Sequence, residues 1–336
     1  MSDGSTPLLD SLLDGDHRSL ARVITKIENR EPGYRELVSR LYEHRGRASV
    51  VGVTGSPGSG KSTLVDKLAL AYREEGATVG IICIDPSSPF SGGAVLGDRI
   101  RMTGTTGDMD VFVRSMSARG ALGGLSTATE DAITAFDAFG MDRIIVETVG
   151  AGQNEVDVVR TADTVVVLVQ PGSGDDVQML KAGILEIGDC FVVNKADTPG
   201  ADRTVQELTE MLQLRRHSPA ASESDWEPPI LETVATEGRG IDAVLDALAD
   251  HRSFLKTSGR RTELDRKRYA ATIRRVLRED TGELLEAELE RRGGIDDIVD
   301  EIVAGHTDPY AVASEIIEPL AAALEFDRSR GSSGRN

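Results

Sequence analysis

One short stretch decides the fold: Val50-Val51-Gly52-Val53-Thr54-Gly55-Ser56-Pro57-Gly58-Ser59-Gly60-Lys61-Ser62. An apolar run leads into G-x-x-x-x-G-K-S, and a helical pattern over residues 63–74 follows it. A chance glycine-rich turn would rarely carry both flanks, whereas a phosphate-binding loop requires them. The stretch therefore predicts a strand, a loop and a helix that together bind the phosphates of a nucleoside triphosphate with Mg²⁺.

Each residue type in this loop suits phosphate chemistry. Glycines let backbone N–H groups surround the β-phosphate, and the helix N-terminus adds a positive partial charge. We expect Lys61 to reach the β- and γ-oxygens and to act in catalysis, and Ser62 to offer its hydroxyl to Mg²⁺. The residues expected to contact nucleotide here are Gly55, Ser56, Pro57, Gly58, Ser59, Gly60, Lys61, Ser62 and Thr63.

Further short apolar runs alternate with helical patterns along the chain. Such runs are typical of strands that are buried on both faces, and the alternation indicates parallel strands joined by right-handed crossovers. We therefore expect an α/β fold of the P-loop NTPase type, with a mostly parallel central sheet flanked by helices. The runs are Val79–Ile84, Arg143–Val146, Thr164–Val169, Phe191–Val193 and Pro229–Leu231.

The patterns before and after this region are helical. Leucines, valines and isoleucines recur at helical spacing before residue 49, and no strand pattern follows residue 258. We expect a helical N-terminal extension over 1–48, a P-loop domain over 49–257, a helical arm over 258–327 and a disordered tail over 328–336.

The composition excludes several classes of protein. The chain of 336 residues carries 38 Lys and Arg against 56 Asp and Glu, a net charge of −18, which argues against nucleic-acid and anionic-membrane partners. Only 7 of the cations are Lys, and an acidic, Lys-poor chain suggests adaptation to high salt, with an ordinary acidic protein as the alternative. The chain has two cysteines, Cys83 and Cys190, which we expect to be reduced. The segment Met1–Asp16 has no basic residue, and no apolar run reaches 18 residues. These features favour a cytoplasmic protein.

A second motif, Asn194-Lys195-Ala196-Asp197, follows the run Phe191–Val193. Guanine presents two parallel donors, N1–H and N2–H₂, which the single carboxylate of Asp197 can accept, whereas adenine offers that carboxylate a lone pair. We expect Lys195 to pack over the base and the phosphate loop, and Asn194 to tie the two loops together. Backbone at Val234 and Ala235 is expected to contact the guanine oxygen. The pattern predicts GTP rather than ATP.

Three acidic residues are candidates for the metal and the attacking water. Glu147 follows the run Arg143–Val146, Asp85 ends the run Val79–Ile84, and Asp98 lies in a glycine-rich loop. Both strand ends point to the crevice where parallel sheets bind ligands. We expect Ser62, Asp85, Asp98 and Glu147 to surround Mg²⁺, and Asp98 or Glu147 to position water for hydrolysis. Alternatively, Asp85 or Asp98 caps a helix or turn.

Cations near these acids could neutralise the negative charge that develops on the phosphate oxygens in the transition state. Arg101 and Arg114 are candidates, because they fall near the expected nucleotide-sensing segments. No Gln follows Gly150 directly, so we do not expect the water to be oriented as in Ras-like GTPases.

Taken in order, the motifs resemble the MeaB/ArgK family of P-loop GTPases, from about Leu12 to Leu320. The segments that carry this resemblance are Asp85-Pro86-Ser87-Ser88, Leu96-Gly97-Asp98, Arg101-Met102, Leu122-Gly123-Gly124, Glu147-Thr148-Val149-Gly150-Ala151-Gly152-Gln153 and Asn194-Lys195-Ala196-Asp197.

The resemblance implies a SIMIBI-class G domain with a C-terminal dimerisation arm, hence a homodimer. It implies a GTPase that uses Mg²⁺, binds no cobalamin itself, and serves adenosylcobalamin-dependent methylmalonyl-CoA mutase, or a related acyl-CoA mutase, by gating cofactor loading and removing damaged cofactor. It also implies a third switch, facing the mutase, with the retained residues Asp175, Gln178 and Lys181.

The sequence leaves two alternative functions, a metallochaperone GTPase and a kinase. A metallochaperone GTPase, of the kind that inserts nickel, needs a His/Cys cluster, but the five His are scattered and neither Cys lies in C-x-x-C. A kinase would need an acceptor-substrate domain, which the sequence does not suggest, and Asp197 argues against ATP.

Overall fold

The structure, a computed structural model, describes residues 5–46, 48–86, 107–118, 124–148, 161–173, 184–216 and 226–319. Side chains at some segment ends, including that of Asp85, are not part of this description. The chain divides into two compact units, Met1–Leu264 and Asp265–Asn336.

The first unit contains a helical start and an alternating α/β region. Its helices are α1 (Ser5–Leu13), α2 (His17–Glu28), α3 (Tyr34–Leu41), α4 (Lys61–Glu74), α5 (Gly124–Phe139), α6 (Ala201–Arg216) and α7 (Ile241–Thr257). Its strands are β1 (Ser49–Gly55), β2 (Val79–Pro86), β3 (Val111–Ala118), β4 (Arg143–Thr148), β5 (Thr164–Val169), β6 (Cys190–Asn194) and β7 (Ile230–Thr233).

All seven strands pair in parallel, in the order β3-β2-β4-β1-β5-β6-β7. This confirms the predicted α/β fold. Strand β1 lies between β4 and β5, so the chain leaves its carboxyl end at the point where the strand order reverses direction. Ligands of open α/β sheets bind at such a point. The loop after β1 is therefore the best placed of the connecting loops to form a site.

Apolar layers cover both faces of the sheet. On one face, Leu20 and Ile24 of α2 share a core with Ile82, Phe136 and Val146. On the other face, α4 and α7 pack their apolar side chains onto the strands; Leu64, Leu68, Val244 and Leu248 belong to that layer. The N-terminal helices thus share one hydrophobic core with the sheet.

Strand β3 was not predicted from the sequence, because it lies at the edge of the sheet. Five of the residues Val111–Met116 are only half-buried, so the segment does not read as a continuous apolar run. Arg114, a candidate for charge neutralisation, lies on this strand. Its guanidinium forms an ion pair with Glu28 and donates to the Thr25 hydroxyl at 3.2 Å, so it braces β3 against α2.

Trp226 packs within the fold next to β7. Its indole N–H donates to the carbonyl of Asp189 at 2.7 Å, and its ring lies 4.8 Å from that of His251. His251 is buried, and burial lowers its pKa to about 4, so the ring is neutral at pH 7. Its Nδ1 lies 2.8 Å from the Thr164 hydroxyl, which completes a packed cluster at the amino ends of β5 and β6.

The second unit is helical. Helix α8 (Arg260–Arg291) runs into it, and α9 (Gly294–Val303) and α10 (residues 309–319) follow. Gly293, with φ +106°, separates α8 from α9. Arg292 joins the helices by donating to the carbonyl of Glu315 at 3.1 Å. None of the described helices is long and apolar enough to cross a membrane.

Candidate functional site

The loop between β1 and α4 is held by two glycines that no other residue could replace without strain. Gly55 has φ +149°, and a Cβ there would lie 2.2 Å from the carbonyl oxygen of Leu168 on β5. Gly60 has φ +95°, and a Cβ there would lie 2.3 Å from Nδ2 of Asn194. The loop is therefore pressed against the two segments that lie beside it, which fixes its path.

Lys61 lies at the first position of α4 with its ammonium inside this loop. Its Nζ donates to the carbonyls of Gly55 at 2.7 Å and Ser56 at 3.0 Å, and the residue is only 7% exposed. The hydroxyl oxygens of Ser56 and Ser59 are buried, and neither has a hydrogen-bond partner within the described part of the chain. A cationic loop with unsatisfied hydroxyls is suited to phosphate oxygens, which would supply the missing partners.

Ser62 and Glu147 meet beside the loop. The Ser62 hydroxyl donates to Oε1 of Glu147 at 2.6 Å, and Glu147 is 1% exposed at the end of β4, where it pairs in register with Val53 of β1. A hydroxyl and a carboxylate are hard oxygen ligands of the kind Mg²⁺ prefers. The pair thus fits the expected metal.

The other acids expected near the metal are less fully defined. Asp85 lies in β2 two residues beyond Cys83, which pairs with Glu147, so its backbone lies at the same edge of the sheet. Asp98, Arg101 and the third-switch residues Asp175, Gln178 and Lys181 lie outside the described residues.

Asn194, at the end of β6, connects three segments with one side chain. Its Nδ2 donates to the carbonyl of Ser59 at 2.7 Å, and its Oδ1 accepts from the Thr233 hydroxyl at 3.0 Å and the Ala235 amide at 3.1 Å. The residue is 3% exposed. The structure thus brings the phosphate loop and the N-K-x-D segment together.

Lys195 follows with a left-handed backbone, at φ +59°. Its Nζ donates to the carbonyl of Gly58 at 2.7 Å and to Oε1 of Gln170 at 2.7 Å. Asp197 is exposed in the turn after β6, where the Thr198 amide donates to the carbonyl of Lys195 at 2.9 Å. The turn therefore presents the Asp197 carboxylate to solvent beside a fixed lysine.

The segment after β7 is bonded within the protein. The amide of Val234 donates to the carbonyl of Arg239 at 3.0 Å, and that of Ala235 donates to Asn194. Both amides expected near the guanine oxygen therefore already have acceptors, and their contact with a base stays a prediction.

Gln170 was not identified from the sequence. It directly follows β5, at the same carboxyl edge as the phosphate loop and Asn194, and this placement was the available signal. A lone Gln after an apolar run has no motif around it, so its contact with Lys195 emerges only from the fold.

Residues 20–290 match the family model described as methylmalonyl Co-A mutase-associated GTPase MeaB. The chain belongs to this family. A Pyrococcus abyssi protein named as a candidate GTPase is 49% identical to this MeaB-family chain over 313 residues, 93% of this chain and 96% of that protein. GTPase ArgK of Escherichia coli K12 is 35% identical over 274 residues, 80% of this chain and 82% of that protein.

Two further comparisons complete the placement. The mitochondrial methylmalonic aciduria type A homolog of Mus musculus is 32% identical over 270 residues, which cover 75% of this chain and 64% of that protein. A crystal structure described as LAO/AO transport system kinase matches with a TM-score of 0.68 at 24% identity, over 96% of this chain and 99% of that chain, and supports the fold. The MeaB-family chain is thus a P-loop GTPase that hydrolyses GTP.

Replacing Asn194 with Ala should destabilise the protein even without nucleotide. The substitution removes the partners of a carbonyl, a hydroxyl and an amide, and leaving buried polar groups unpaired costs about 2–4 kcal/mol in total. Urea unfolding of nucleotide-free protein measures this loss. Gln206→Ala, an exposed amide on α6, is the control and should change stability by less than about 0.5 kcal/mol. Equal stability of Asn194→Ala and the parent would contradict the role given to Asn194.

Proposed function

We propose that this GTPase is Mg²⁺-dependent, is cytoplasmic, and acts as a chaperone for an adenosylcobalamin-dependent methylmalonyl-CoA mutase or a related acyl-CoA mutase. The observation that carries the nucleotide part is the direct bond from Asn194 to Ser59, because it places a base-reading motif beside a phosphate loop. The mutase part rests on the family's association with that enzyme.

In this proposal the phosphates lie in the loop of residues 55–63. Lys61 and the loop amides bind the β- and γ-oxygens, and the hydroxyls of Ser56 and Ser59 donate hydrogen bonds to phosphate oxygens. Lys61 already lies within reach, since its ammonium is held by two carbonyls of the same loop. Little rearrangement of the loop is needed to exchange a carbonyl for a phosphate oxygen.

Ser62 and Glu147 would hold Mg²⁺, together with Asp85 and Asp98. The metal, when bound, neutralises charge that develops on the phosphate oxygens during hydrolysis. Glu147 or Asp98 orients the attacking water and accepts its hydrogen bond. Glu147 is well placed to orient this water, because β4 fixes its backbone and the Ser62 hydroxyl fixes one carboxylate oxygen.

At the other end, Asp197 accepts the two parallel donors of guanine, and the Lys195 stem covers the base. One carboxylate paired with two donors gives strong discrimination, because adenine leaves the carboxylate without donors.

Asp197→Asn should exchange guanine for xanthine specificity. The amide cannot accept both guanine donors, but its N–H₂ can donate to the C2 carbonyl of xanthine, so we expect GTP affinity to fall by at least about 100-fold and XTP to become the better substrate. Isothermal titration with GDP and XDP, and turnover of both triphosphates, measure the exchange. Asp202→Asn, on the first turn of α6, should leave the preference for GTP intact. An unchanged preference in Asp197→Asn would place the base elsewhere.

Coupling to the mutase is proposed to pass through the segment containing Asp175, Gln178 and Lys181. We expect purified mutase to raise GTP turnover by at least about fivefold, the lower end of ordinary coupling between two binding sites. Steady-state phosphate release with and without mutase measures this, and size-exclusion chromatography shows whether a complex forms. Lys61→Ala, which lacks the phosphate-binding ammonium, is the control for contaminating hydrolysis. Absence of both stimulation and a complex would refute the partnership.

We also propose that the protein is a homodimer through its C-terminal helices. Helix α8 has no buried residue along its 32 positions, and one face exposes a line of large apolar side chains. These are Tyr269, Ile273, Leu277 and Leu284. An apolar face of this length on an otherwise polar helix is typical of an interface.

The charges of α8 favour a second copy of the same helix. The stretch from Arg266 to Arg278 carries six basic residues and no acidic one, and the stretch from Glu279 to Glu290 carries six acidic residues and no basic one. Antiparallel pairing of two copies would place the basic half of each helix against the acidic half of the other. Parallel pairing would place like charges together.

Leu277→Glu should therefore dissociate the dimer. A carboxylate in the centre of a desolvated apolar face is costly, since buried charge without a partner is unfavourable by several kcal/mol. Sedimentation equilibrium measures the mass of the parent and the variant. Leu214→Glu, at another exposed leucine that lies on α6, is the matched control and should sediment like the parent. A monomeric parent, or a variant that stays dimeric, would rule out this interface.

A further inference from the structure

Lys195 is held at both ends, which is unusual for an exposed lysine. Its ammonium donates to the carbonyl of Gly58 in the phosphate loop and to the side-chain oxygen of Gln170 after β5, each at 2.7 Å. Gly58, Gln170 and Lys195 come after the carboxyl ends of β1, β5 and β6, which are neighbours in the sheet. The lysine head thus joins three adjacent loops.

The backbone of Lys195 is fixed as well. It adopts a left-handed conformation at φ +59°, which L-residues rarely take, and its carbonyl accepts from the Thr198 amide at 2.9 Å and the Thr198 hydroxyl at 2.7 Å. A lysine stem has four rotatable bonds and loses about 2 kcal/mol of rotamer entropy when it is ordered. Fixing both ends before the ligand arrives removes much of that cost from binding.

We propose that Gln170 is a positioning residue for the guanine base: its side-chain oxygen holds the Lys195 ammonium so that the lysine stem forms a platform already in place for the ring. The proposal rests on the nucleotide site proposed above, and it adds to that site a residue outside its motifs. Gln170 itself touches neither the base nor the reacting phosphate, since it acts through Lys195.

The chemistry of the acceptor matters here. The Gln170 side-chain oxygen accepts a hydrogen bond from the ammonium group and leaves its charge unchanged. The carbonyl of Gly58 alone would hold the ammonium group from one side only, that of the phosphate loop. Gln170 holds the ammonium group from a second side, that of β5, and the two hydrogen bonds together fix its position. Without it, the stem can rotate about its bond to Gly58 and no longer presents one face to the base.

Gln170→Leu removes the acceptor at nearly constant volume, and the affinities for GTP and GDP should fall by about 10- to 150-fold, the usual range for a hydrogen bond to a charged group. KM should rise while kcat stays unchanged, because a base contact is equal in the ground state and the transition state. Gln170→Glu keeps an acceptor and should restore at least half of the lost affinity. Gln206→Leu, on α6, is the control and should bind like the parent.

A double-mutant cycle with Lys195→Met provides the decisive measurement. If Gln170 acts through Lys195, Gln170→Leu should have no further effect on the affinity for GDP in the Lys195→Met background. Additive losses, an unaffected Gln170→Leu, or a Gln170→Glu as weak as Gln170→Leu would each overturn the inference. Lys195→Met alone separates the two levels: if it leaves GDP affinity unchanged, the proposed base site itself is wrong, whereas a weakened Lys195→Met with an unaffected Gln170→Leu refutes only the positioning role.

Discussion

The side chain of Asn194 is the constraint on which the rest of the site depends. It pairs a carbonyl of the phosphate loop with a hydroxyl and an amide from the segment after β7, all buried. Buried polar groups must be paired, so the three segments can fold only together. The same contact explains Gly60, because any Cβ there would lie 2.3 Å from the Asn194 amide nitrogen. A glycine of the first motif is thus required by an asparagine of the second.

The parallel sheet is what lets distant residues reach this constraint. Since all described strands run in one direction, their carboxyl ends share one edge, and residues 85 apart in sequence, Ser62 and Glu147, meet within 2.6 Å. Gly55 shows how tightly the edge is packed, for its Cα lies against the backbone of β5. The conformation of the phosphate loop is therefore determined by its packing against β5 and β6 as much as by its own glycines. The site is a property of the sheet edge, which a loop in isolation could not reproduce.

Sequence reasoning succeeded where the chemistry is local and stopped where it depends on packing. The phosphate loop and Asn194–Asp197 could be predicted because each motif carries its own backbone requirements and donors within a few residues. Strand β3 could not, because an edge strand is half-buried and lacks a continuous apolar run. The ion pair of Arg114 could not be predicted either, because its partner, Glu28, lies 86 residues away on α2. Gln170 was missed for the same reason: its role depends on a lysine 25 residues further on that only the fold brings near.

The net charge of −18 does not conflict with an anionic ligand, because the distribution of charge decides binding. The ammonium groups of Lys61 and Lys195 are hydrogen-bonded to the phosphate loop. Distant acidic residues on the surface are screened over about 8–10 Å at ordinary ionic strength, whereas these two act at contact distance in a partly buried loop. Part of the acidic excess lies elsewhere in the chain, for example in residues 293–327, which carry nine acidic residues and no Lys or Arg. The acidity of the chain and the cationic character of its loop are therefore independent features, and neither could be inferred from the other.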